Sequence, residues 1–243
     1  MIMNKYTKLI FEENFKQKSL NIENWNYVHA GTGFGNKEWQ FYRQDSDNVK
    51  IVDNKLIITA KKEDYEHCHY TSGKIHTKGK FSFQYGRVDV VAKLPFGQGF
   101  WPAIWMMPEE SNYGYWPSCG EIDIMESLGH DPEYIYGTIH YGDPHKYHGP
   151  QARIKNANEF HKYSIIWEKE KITWLIDDVI IGDTSKWFSY QKKIDKKNSY
   201  PAPFNQKFYL ILNFAIGGNF SGYPDDTTSF PAEFIIESVK VYQ

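Results

Sequence analysis

Apolar and polar residues alternate along many short segments of the chain. Val88 and Val90 share one side of this pattern, while Arg87 and Asp89 share the other. A period of two residues is typical of a β-strand with one buried face. By this pattern and by their β-branched and aromatic residues, we predict strands over 54–62, 87–94, 121–127, 135–141, 163–170, 172–182, 208–217 and 234–242.

Turn residues divide these segments, and helical periodicity is scarce. The pair Asp177–Asp178 predicts a hairpin within 172–182, and short helical turns are expected only near 156–161 and 185–193. Regularly spaced strands without crossover helices indicate an all-β sandwich or barrel rather than an α/β sheet. No repeat, low-complexity tract or linker interrupts the sequence, so we expect one domain over 1–243.

Composition and charge exclude several classes of protein. The chain is 41% apolar and 24% charged, which is unlike an intrinsically disordered chain. No run approaches the ~18 apolar residues of a membrane helix, and the opening MIMNKYTKLI shows no signal peptide. A net charge of −2 argues against a nucleic-acid or membrane partner. The basic stretch 186–197 is interpreted as a solvated loop or short helix.

The cysteines and histidines carry weaker signals. Cys68 and Cys119 allow one disulfide at most, and their pairing stays open. The two histidines beside Cys68, together with His145 and His148, match no strong zinc-ligand spacing. We therefore interpret these histidines as exposed loop residues.

Three carboxylates fall within six residues at Glu121, Asp123 and Glu126. In a regular strand Glu121 and Asp123 share a face with Met125, and Glu126 points the opposite way into the core. An unpaired carboxylate is very costly to bury there. A β-bulge between Asp123 and Glu126 adds one residue and returns Glu126 to the face of the other two. The sequence therefore predicts a bulged strand.

This arrangement of carboxylates has three possible interpretations. In a retaining glycosidase, two carboxyl groups ~5–5.5 Å apart act as nucleophile and as acid/base. Metal binding would use the same oxygen atoms, and a solvated strand edge needs no function at all. Glycosidase catalysis is the reading that we favour, because like charges two residues apart repel each other and are seldom kept without use.

Aromatic residues strengthen the interpretation that the carboxylates act on a carbohydrate. They make up 17% of the chain, including 8 Trp, and Trp101, Trp105 and Trp116 lie just before the carboxylates. A tryptophan face provides a large, rigid apolar surface for the C–H face of a sugar ring. Trp167 and Trp174 lie within strand patterns and are expected in the core. The sequence thus predicts a sugar-binding cleft beside the carboxylates.

The segment 116-WPSCGEIDIMES-127 resembles the active-site signature of glycoside hydrolase family 16, in the bulged E-x-D-x-x-E form of laminarinase-type endo-β-1,3-glucanases. Family members without the bulge include the bacterial lichenases. The resemblance continues in the family's order through 72–90, 98–108, 137–142, 160–167, 203–228 and 239–243. It implies a β-jelly-roll sandwich of two curved antiparallel sheets, similar to concanavalin A, with an open concave cleft.

Carried over residue by residue, the resemblance implies that Glu121 is the nucleophile, Glu126 the acid/base and Asp123 the residue that orients Glu121. It implies a β-glucan polysaccharide as substrate and no cofactor for catalysis. It also implies a monomer that acts outside the cell or at its surface. The implied substrate-binding residues are Trp101, Trp105, Trp116, His140, Asn36 and Arg87.

A structural calcium ion is a further implication of the resemblance. Many members bind it with backbone carbonyls and an aspartate of the last strand, and Glu237 stands at that position here. A glutamate still offers oxygen to a hard cation. Asn54 replaces the usual turn glycine nearby.

Alternative functions remain open on the same scaffold. The chain could cleave mixed-linkage β-1,3-1,4-glucan or an algal galactan by the same mechanism, or transfer the glycosyl group to a sugar rather than to water. The absence of Lys and Arg from 96–127 favours a neutral glucan. A non-catalytic glucan-recognition protein is disfavoured, because both catalytic glutamates are present.

Overall fold

The computed structural model describes residues 5–45 and 47–243, which are almost entirely β-structure. Two short 3₁₀ turns, Gly33–Gly35 and Lys192–Ile194, are the helical elements of this described part. The strands are β1 (Leu9–Glu13), β2 (Asn26–Tyr27), β3 (Gln40–Tyr42), β4 (Val49–Val52), β5 (Lys55–Tyr65), β6 (Cys68–Ser72), β7 (Lys74–His76), β8 (Gly86–Lys93), β9 (Phe100–Pro108), β10 (Glu121–Leu128), β11 (Asp131–Tyr141), β12 (Lys146–His148), β13 (Gln151–Arg153), β14 (His161–Trp167), β15 (Ile172–Ile176), β16 (Val179–Thr184), β17 (Ser189–Gln191), β18 (Lys196–Asn198), β19 (Phe208–Ile216) and β20 (Ala232–Tyr242).

Two large sheets form the sandwich. The back sheet has the order β16-β15-β14-β8-β20-β5-β6-β3, with β1 beside β20 and β4 beside β5. The cleft sheet has the order β12-β11-β10-β9-β19-β7-β2, with β13 beside β11. Neighbouring strands are antiparallel except β3 and β6. This architecture confirms the predicted jelly-roll sandwich. No helix of the described residues has the length and apolar character to cross a membrane.

The core lies between the two sheets and follows the two-residue pattern. Val88 and Val90 of β8 are fully buried, as are Ile104 of β9 and Ile122 of β10. The two inner faces thereby remove large aliphatic side chains from water, which is the main favourable contribution to folding. Trp167 and Trp174 are also fully buried, as predicted.

All eight predicted segments contain strands, and the predicted hairpin at Asp177–Asp178 joins β15 to β16. Both aspartates have positive φ, at 50° and 65°, which is the backbone geometry of a tight two-residue hairpin turn. The sequence pattern missed β9, because its two prolines and its nearly continuous apolar sequence concealed the alternation. This strand is central, since it pairs with both β10 and β19.

The predicted helical turns are largely wrong. Residues 156–160 form turns without a helix, and β17 occupies part of 185–193. A 3₁₀ turn begins only at Lys192, in the connection between β17 and β18. The basic stretch 186–197 is therefore mainly a small hairpin, which satisfies its backbone groups by strand pairing. Cys68 and Cys119 are both buried free thiols, so they form no disulfide.

Candidate active site

Strand β10 contains the predicted bulge. Opposite it on β11, Asp123 pairs with Thr138 and Glu126 pairs with Tyr136. Three steps along β10 therefore match two steps along β11, so one extra residue is accommodated on β10. The pairing of β10 with β9 shifts between Asp123 and Met125, at the same place. The bulge predicted from the sequence is confirmed.

The bulge sorts the side chains of β10 between two environments. Ile122, Ile124 and Met125 are buried in the hydrophobic core. Glu121, Asp123 and Glu126 instead line one cleft of about 910 Å³ on the opposite face of the cleft sheet. Two consecutive residues, Ile124 and Met125, both point inward, and this is what returns Glu126 to the cleft.

Most of the predicted binding residues also line this cleft. It contains the indole rings of all three predicted tryptophans, and its other walls are aromatic and polar. Residues lining it include Phe34, Asn36, Glu38, Tyr42, Lys74, Trp101, Trp105, Trp116, Tyr136, His140, His145, Tyr147, Asn213 and Phe220.

Two tryptophans make direct hydrogen bonds to the carboxylates. The Nε1–H of Trp116 donates to Oε2 of Glu121 at 2.8 Å, and the Nε1–H of Trp101 donates to Oε1 of Glu126 at 3.0 Å. Each bond fixes one carboxylate oxygen and favours its ionised form. These tryptophans therefore orient the acids as well as providing flat apolar surface.

Asp123 is held from beneath by the back sheet. Its backbone carbonyl accepts a hydrogen bond of 2.8 Å from Nε1 of Trp174, on β15. Gly137 leaves room for this indole, since a Cβ atom at Gly137 would lie 2.4 Å from Trp174 Cδ1. The bulged strand is thus fixed to the opposite sheet at the residue between the two glutamates.

His140 approaches Asp123 and Glu121 from β11. Its Nε2 lies 3.2 Å from Oδ2 of Asp123 and 4.0 Å from Oε1 of Glu121. The Asp123 contact lacks hydrogen-bond alignment, so Oδ2 has no hydrogen-bond partner among the described residues. On the other side of the ring, Nδ1 of His140 lies 2.9 Å from Nε2 of His145.

Burial raises the pKa of every carboxyl group in the cluster. The pKa of Glu121 rises to about 8 and that of Glu126 to about 7, first because of burial and then because of neighbouring negative charge. Burial and Glu126 also raise the pKa of Asp123 well above its usual value. The neighbouring His140 lowers the pKa of both glutamates. Removal from water, more than repulsion between the carboxylates, keeps protons on this cluster.

Arg87 does not belong to the cleft, so its predicted role in substrate binding is wrong. It lies on β8 of the back sheet, where it is buried and donates hydrogen bonds of 2.7 Å to Asp89 and Asp178. The two-residue pattern already paired Arg87 with Asp89 on one face. Because both acids engage its guanidinium, Arg87 stabilises the fold.

Lys74 is a cleft residue that the sequence reasoning missed. Its Nζ lies 4.6 Å from the ring centroid of Trp105 and 5.0 Å from that of Phe34, as expected for cation–π contacts. Burial lowers its pKa, while Glu38 and Glu121 oppose this effect. Glu38 itself accepts hydrogen bonds from Asn36 and Gln40. The signal was the short alternating run of β7, which lies within the same resemblance segment, 72–90, as Arg87.

The predicted exposed loop histidines divide into two groups. His67 and His69 are exposed and do not line the cleft, and His69 pairs with Asp64 at 2.6 Å. His145 is exposed but lines the cleft beside Trp116, with ring centroids 4.8 Å apart. His148 is half-buried and also lines the cleft. The interpretation as exposed loop residues is therefore confirmed for His145, which lies in the turn between β11 and β12, and wrong for His148, which is a half-buried residue of β12.

Glu121, Asp123 and His140 form the one group in residues 5–45 and 47–243 that gathers three metal-binding side chains, with the relevant atoms within 4.8 Å of each other. Glu237 is exposed at a register shift of β20 between Ile236 and Ser238. It gathers no such set of acidic or histidine side chains in this described region.

A cleft that combines paired carboxylates with exposed tryptophan faces defines a carbohydrate-active protein. The family described as "Glycosyl hydrolases family 16" matches residues 36–215. The chain belongs to glycosyl hydrolase family 16, as its sequence resemblance indicates.

Individual relatives agree with this assignment. The "Beta-glucanase" of Rhodothermus marinus is 38% identical over 97% of this chain and 85% of its own length. The "Glucan endo-1,3-beta-glucosidase A1" of Niallia circulans is also 38% identical over 97% of this chain, which spans 38% of that protein's length. The solved laminarinase of Rhodothermus marinus superimposes with a TM-score of 0.87 at 36% identity, covering 97% of both chains.

Other relatives carry different names. The "Endo-1,3-1,4-beta-glycanase EglC" of Rhizobium meliloti is 30% identical over 90% of this chain and 46% of its own length. The "Beta-1,3-glucan-binding protein" of Penaeus monodon is 31% identical over 92% of this chain and 78% of its own length.

Proposed function

We propose that the chain is a retaining, endo-acting glycoside hydrolase that cleaves internal β-1,3-glucosidic bonds of laminarin-type β-glucans. The observation that carries this proposal is the bulge of β10, which brings Glu121, Asp123 and Glu126 to one tryptophan-lined cleft. The relatives named as endo-1,3-β-glucosidase and laminarinase support the choice of linkage.

In the first chemical step, Glu126 donates its proton to the glycosidic oxygen while the Glu121 carboxylate attacks the anomeric carbon. The C–O bond to the leaving sugar breaks, and an ester bond to Glu121 forms. The raised pKa of Glu126, about 7, supports its role as the acid. Burial raises the pKa of Glu121 further, to about 8, so the order of the two pKa values does not assign the roles, and the assignment follows the position of each glutamate in the E-x-D-x-x-E segment. Trp116 and His140 oppose the rise at Glu121 and favour its ionised form, which is the form that attacks.

In the second step, Glu126 removes a proton from water, and the water oxygen displaces Glu121 from the sugar. The negative charge of Glu121, which raises the pKa of Glu126, is absent from the ester. Glu126 therefore becomes more acidic at the stage where it must act as a base. Two displacements at one carbon retain the β-configuration.

Substrate binding is assigned to the cleft walls. Trp101, Trp105 and Trp116 provide apolar surface for sugar rings, while Asn36 and Lys74 provide hydrogen-bond donors for hydroxyl groups. An open cleft admits the middle of a polymer, which suits cleavage at internal bonds. We propose Asp123 and His140 as positioning residues for the two glutamates.

The first test is substitution of each glutamate. Glu121→Ala and Glu126→Ala should each reduce laminarin hydrolysis by about 10³-fold or more, because each removes a group that acts in the transition state. Azide should restore turnover to Glu126→Ala on substrates with good leaving groups. The matched control is Glu110→Ala, which alters an exposed glutamate outside the cleft and should leave activity unchanged.

Normal laminarin hydrolysis by the double variant would refute this assignment. Complete inactivity of the unmodified chain on every glucan would instead favour a recognition protein similar to the glucan-binding relative.

Mixed-linkage glucan is the second candidate substrate, because a relative named endo-1,3-1,4-β-glycanase is 30% identical over 90% of this chain. Laminarin, lichenan, curdlan and agarose, compared at equal mass, distinguish the candidates. Preferential cleavage of laminarin and curdlan supports β-1,3 specificity. Faster cleavage of lichenan supports the second candidate, and cleavage of agarose supports a galactanase.

Two further proposals concern the surroundings of the reaction. Glu237 is exposed and able to give an oxygen to a structural calcium ion, with backbone carbonyls and water supplying the rest. Such an ion would stabilise the back sheet and take no part in catalysis. We also propose a monomer that works outside the cell or at its surface, where a glucan polymer is accessible.

A further inference from the structure

Three potential metal ligands converge at one side of the cleft. Nε2 of His140 lies 3.2 Å from Oδ2 of Asp123 and 4.0 Å from Oε1 of Glu121. These atoms come from the adjacent antiparallel strands β10 and β11, on which Glu121 is directly paired with His140. Strand pairing, rather than a flexible loop, therefore brings them together.

A buried acceptor in this group lacks a partner. Asp123 is only 2% exposed, and its Oδ2 makes no hydrogen bond to the described residues. An unpaired buried carboxylate oxygen is costly unless a cation or a proton reaches it. It faces the ring nitrogen of His140, so a cation held between them would satisfy both atoms.

The neighbouring His145 favours a ligand role for His140. Nδ1 of His140 and Nε2 of His145 lie 2.9 Å apart and must share a proton. When His140 donates that proton from Nδ1, the lone pair of its Nε2 points at the carboxylates. Metal-binding histidines are commonly oriented in this way, by a hydrogen bond from the second ring nitrogen.

The shortest of these separations fits a zinc-like ion. Zinc bonds to nitrogen and oxygen are ~2.0–2.2 Å long, which places two ligands of a tetrahedral ion about 3.3 Å apart. The 3.2 Å between His140 and Asp123 matches this value. Glu121 must approach His140 by less than an ångström, and the open cleft leaves the fourth position to water.

We propose that Glu121, Asp123 and His140 form a binding site for a divalent transition-metal ion of the zinc class, with His145 as the residue that orients His140. The ion binds the attacking oxygen of Glu121, and so it blocks catalysis reversibly and competes with glucan. This inhibitory consequence rests on the proposed function, whereas the binding itself does not.

Calorimetric titration of the metal-free chain with zinc chloride tests the site. One zinc ion should bind per chain, and His140→Ala should weaken binding by more than 100-fold. His145→Phe, a change at the exposed rim, should weaken it by roughly 10–100-fold, as expected for loss of an orienting partner. The matched control is His69→Ala, which removes an exposed histidine that also pairs with an aspartate and should leave the affinity unchanged.

Cobalt(II) provides a second, activity-independent measurement. Its visible absorption should show a four-coordinate site in the unmodified chain, and Asp123→Asn should remove that signal. Absence of zinc binding, or binding that is lost in His69→Ala and kept in His140→Ala, would overturn the proposal. Zinc binding by a chain that proves inactive on all glucans would leave the metal site intact and refute only the proposed function.

Discussion

At the scale of single residues, the active-site tryptophans have a second role as hydrogen-bond donors. Trp116 and Trp101 each bind one of the two glutamates, while Trp105 donates to Asn213 at 2.6 Å. The sequence indicated sugar-stacking residues near an acid cluster. It did not reveal which indole reaches which acid, because that depends on the register of β9 against β10 for Trp101 and on the path of the loop before β10 for Trp116.

Trp101→Phe should move the alkaline limb of the kcat/KM–pH profile upward by about one pH unit. The Trp101 hydrogen bond lowers the pKa of Glu126, so its loss raises that pKa above about 7 and keeps the acid protonated to higher pH. Steady-state hydrolysis of laminari-oligosaccharides from pH 4 to pH 10 measures the shift. Trp105→Phe, which loses a bond to Asn213 only, should leave the limb in place. A downward shift in Trp101→Phe would contradict this role of the indole.

At the scale of elements, the bulge in β10 decides whether two glutamates can meet the same substrate. Its presence was predictable, because a regular strand would have placed Glu126 in the core. The contacts that hold the bulge in place were not predictable. Trp174 belongs to a strand 51 positions away from Asp123, and the space that Gly137 leaves for it is visible only when the two sheets are packed.

Deleting one residue from the bulge should affect activity much less than deleting two, because side chains alternate between the faces of a strand. Removing Ile124 alone leaves Glu126 on the cleft face of a regular strand, so activity should persist well above that of Glu126→Ala. Removing both Ile124 and Met125 turns Glu126 into the core and should abolish activity and lower Tm. Activity on laminarin and thermal unfolding measure both effects. Equal activity of the two deletion variants would contradict the claim that the bulge positions Glu126 in the cleft.

At the scale of the whole molecule, the two sheets have different roles: the cleft sheet carries the functional residues, and the back sheet contributes to stability. The cleft sheet carries the acids and the sugar-binding surfaces, while the back sheet carries ion pairs such as Arg87 with Asp178. The all-β class followed from strand patterns, whereas the jelly-roll sandwich followed from the family resemblance. The assignment of Arg87 and Lys74 to sheets did not, because each lies on a short alternating segment that fits either face of the sandwich.

Asp178→Asn should lower the free energy of unfolding by about 1 kcal/mol at pH 7, since the carboxylate is partly exposed and screened by solvent. Lys162 and Arg87 lower the pKa of Asp178 in the folded state. This stabilisation is therefore present above the ordinary pKa of 3.8 and is lost as the pH falls through the lowered folded-state value. Urea unfolding of both proteins at pH 7, 5 and 3 measures the difference. A difference that grows toward acid pH would contradict the ion pair as its source.

The central claim is that Glu121 forms a covalent bond to the sugar within the cleft. The direct measurement is mass-spectrometric peptide mapping after incubation with a 2-deoxy-2-fluoro laminaribiosyl fluoride, which slows the second step and lets the ester accumulate. The account predicts one added glycosyl group per chain, attached to Glu121 and absent from Glu121→Ala. Attachment to Glu126, or turnover with no covalent adduct and inversion of the anomeric configuration, would contradict it.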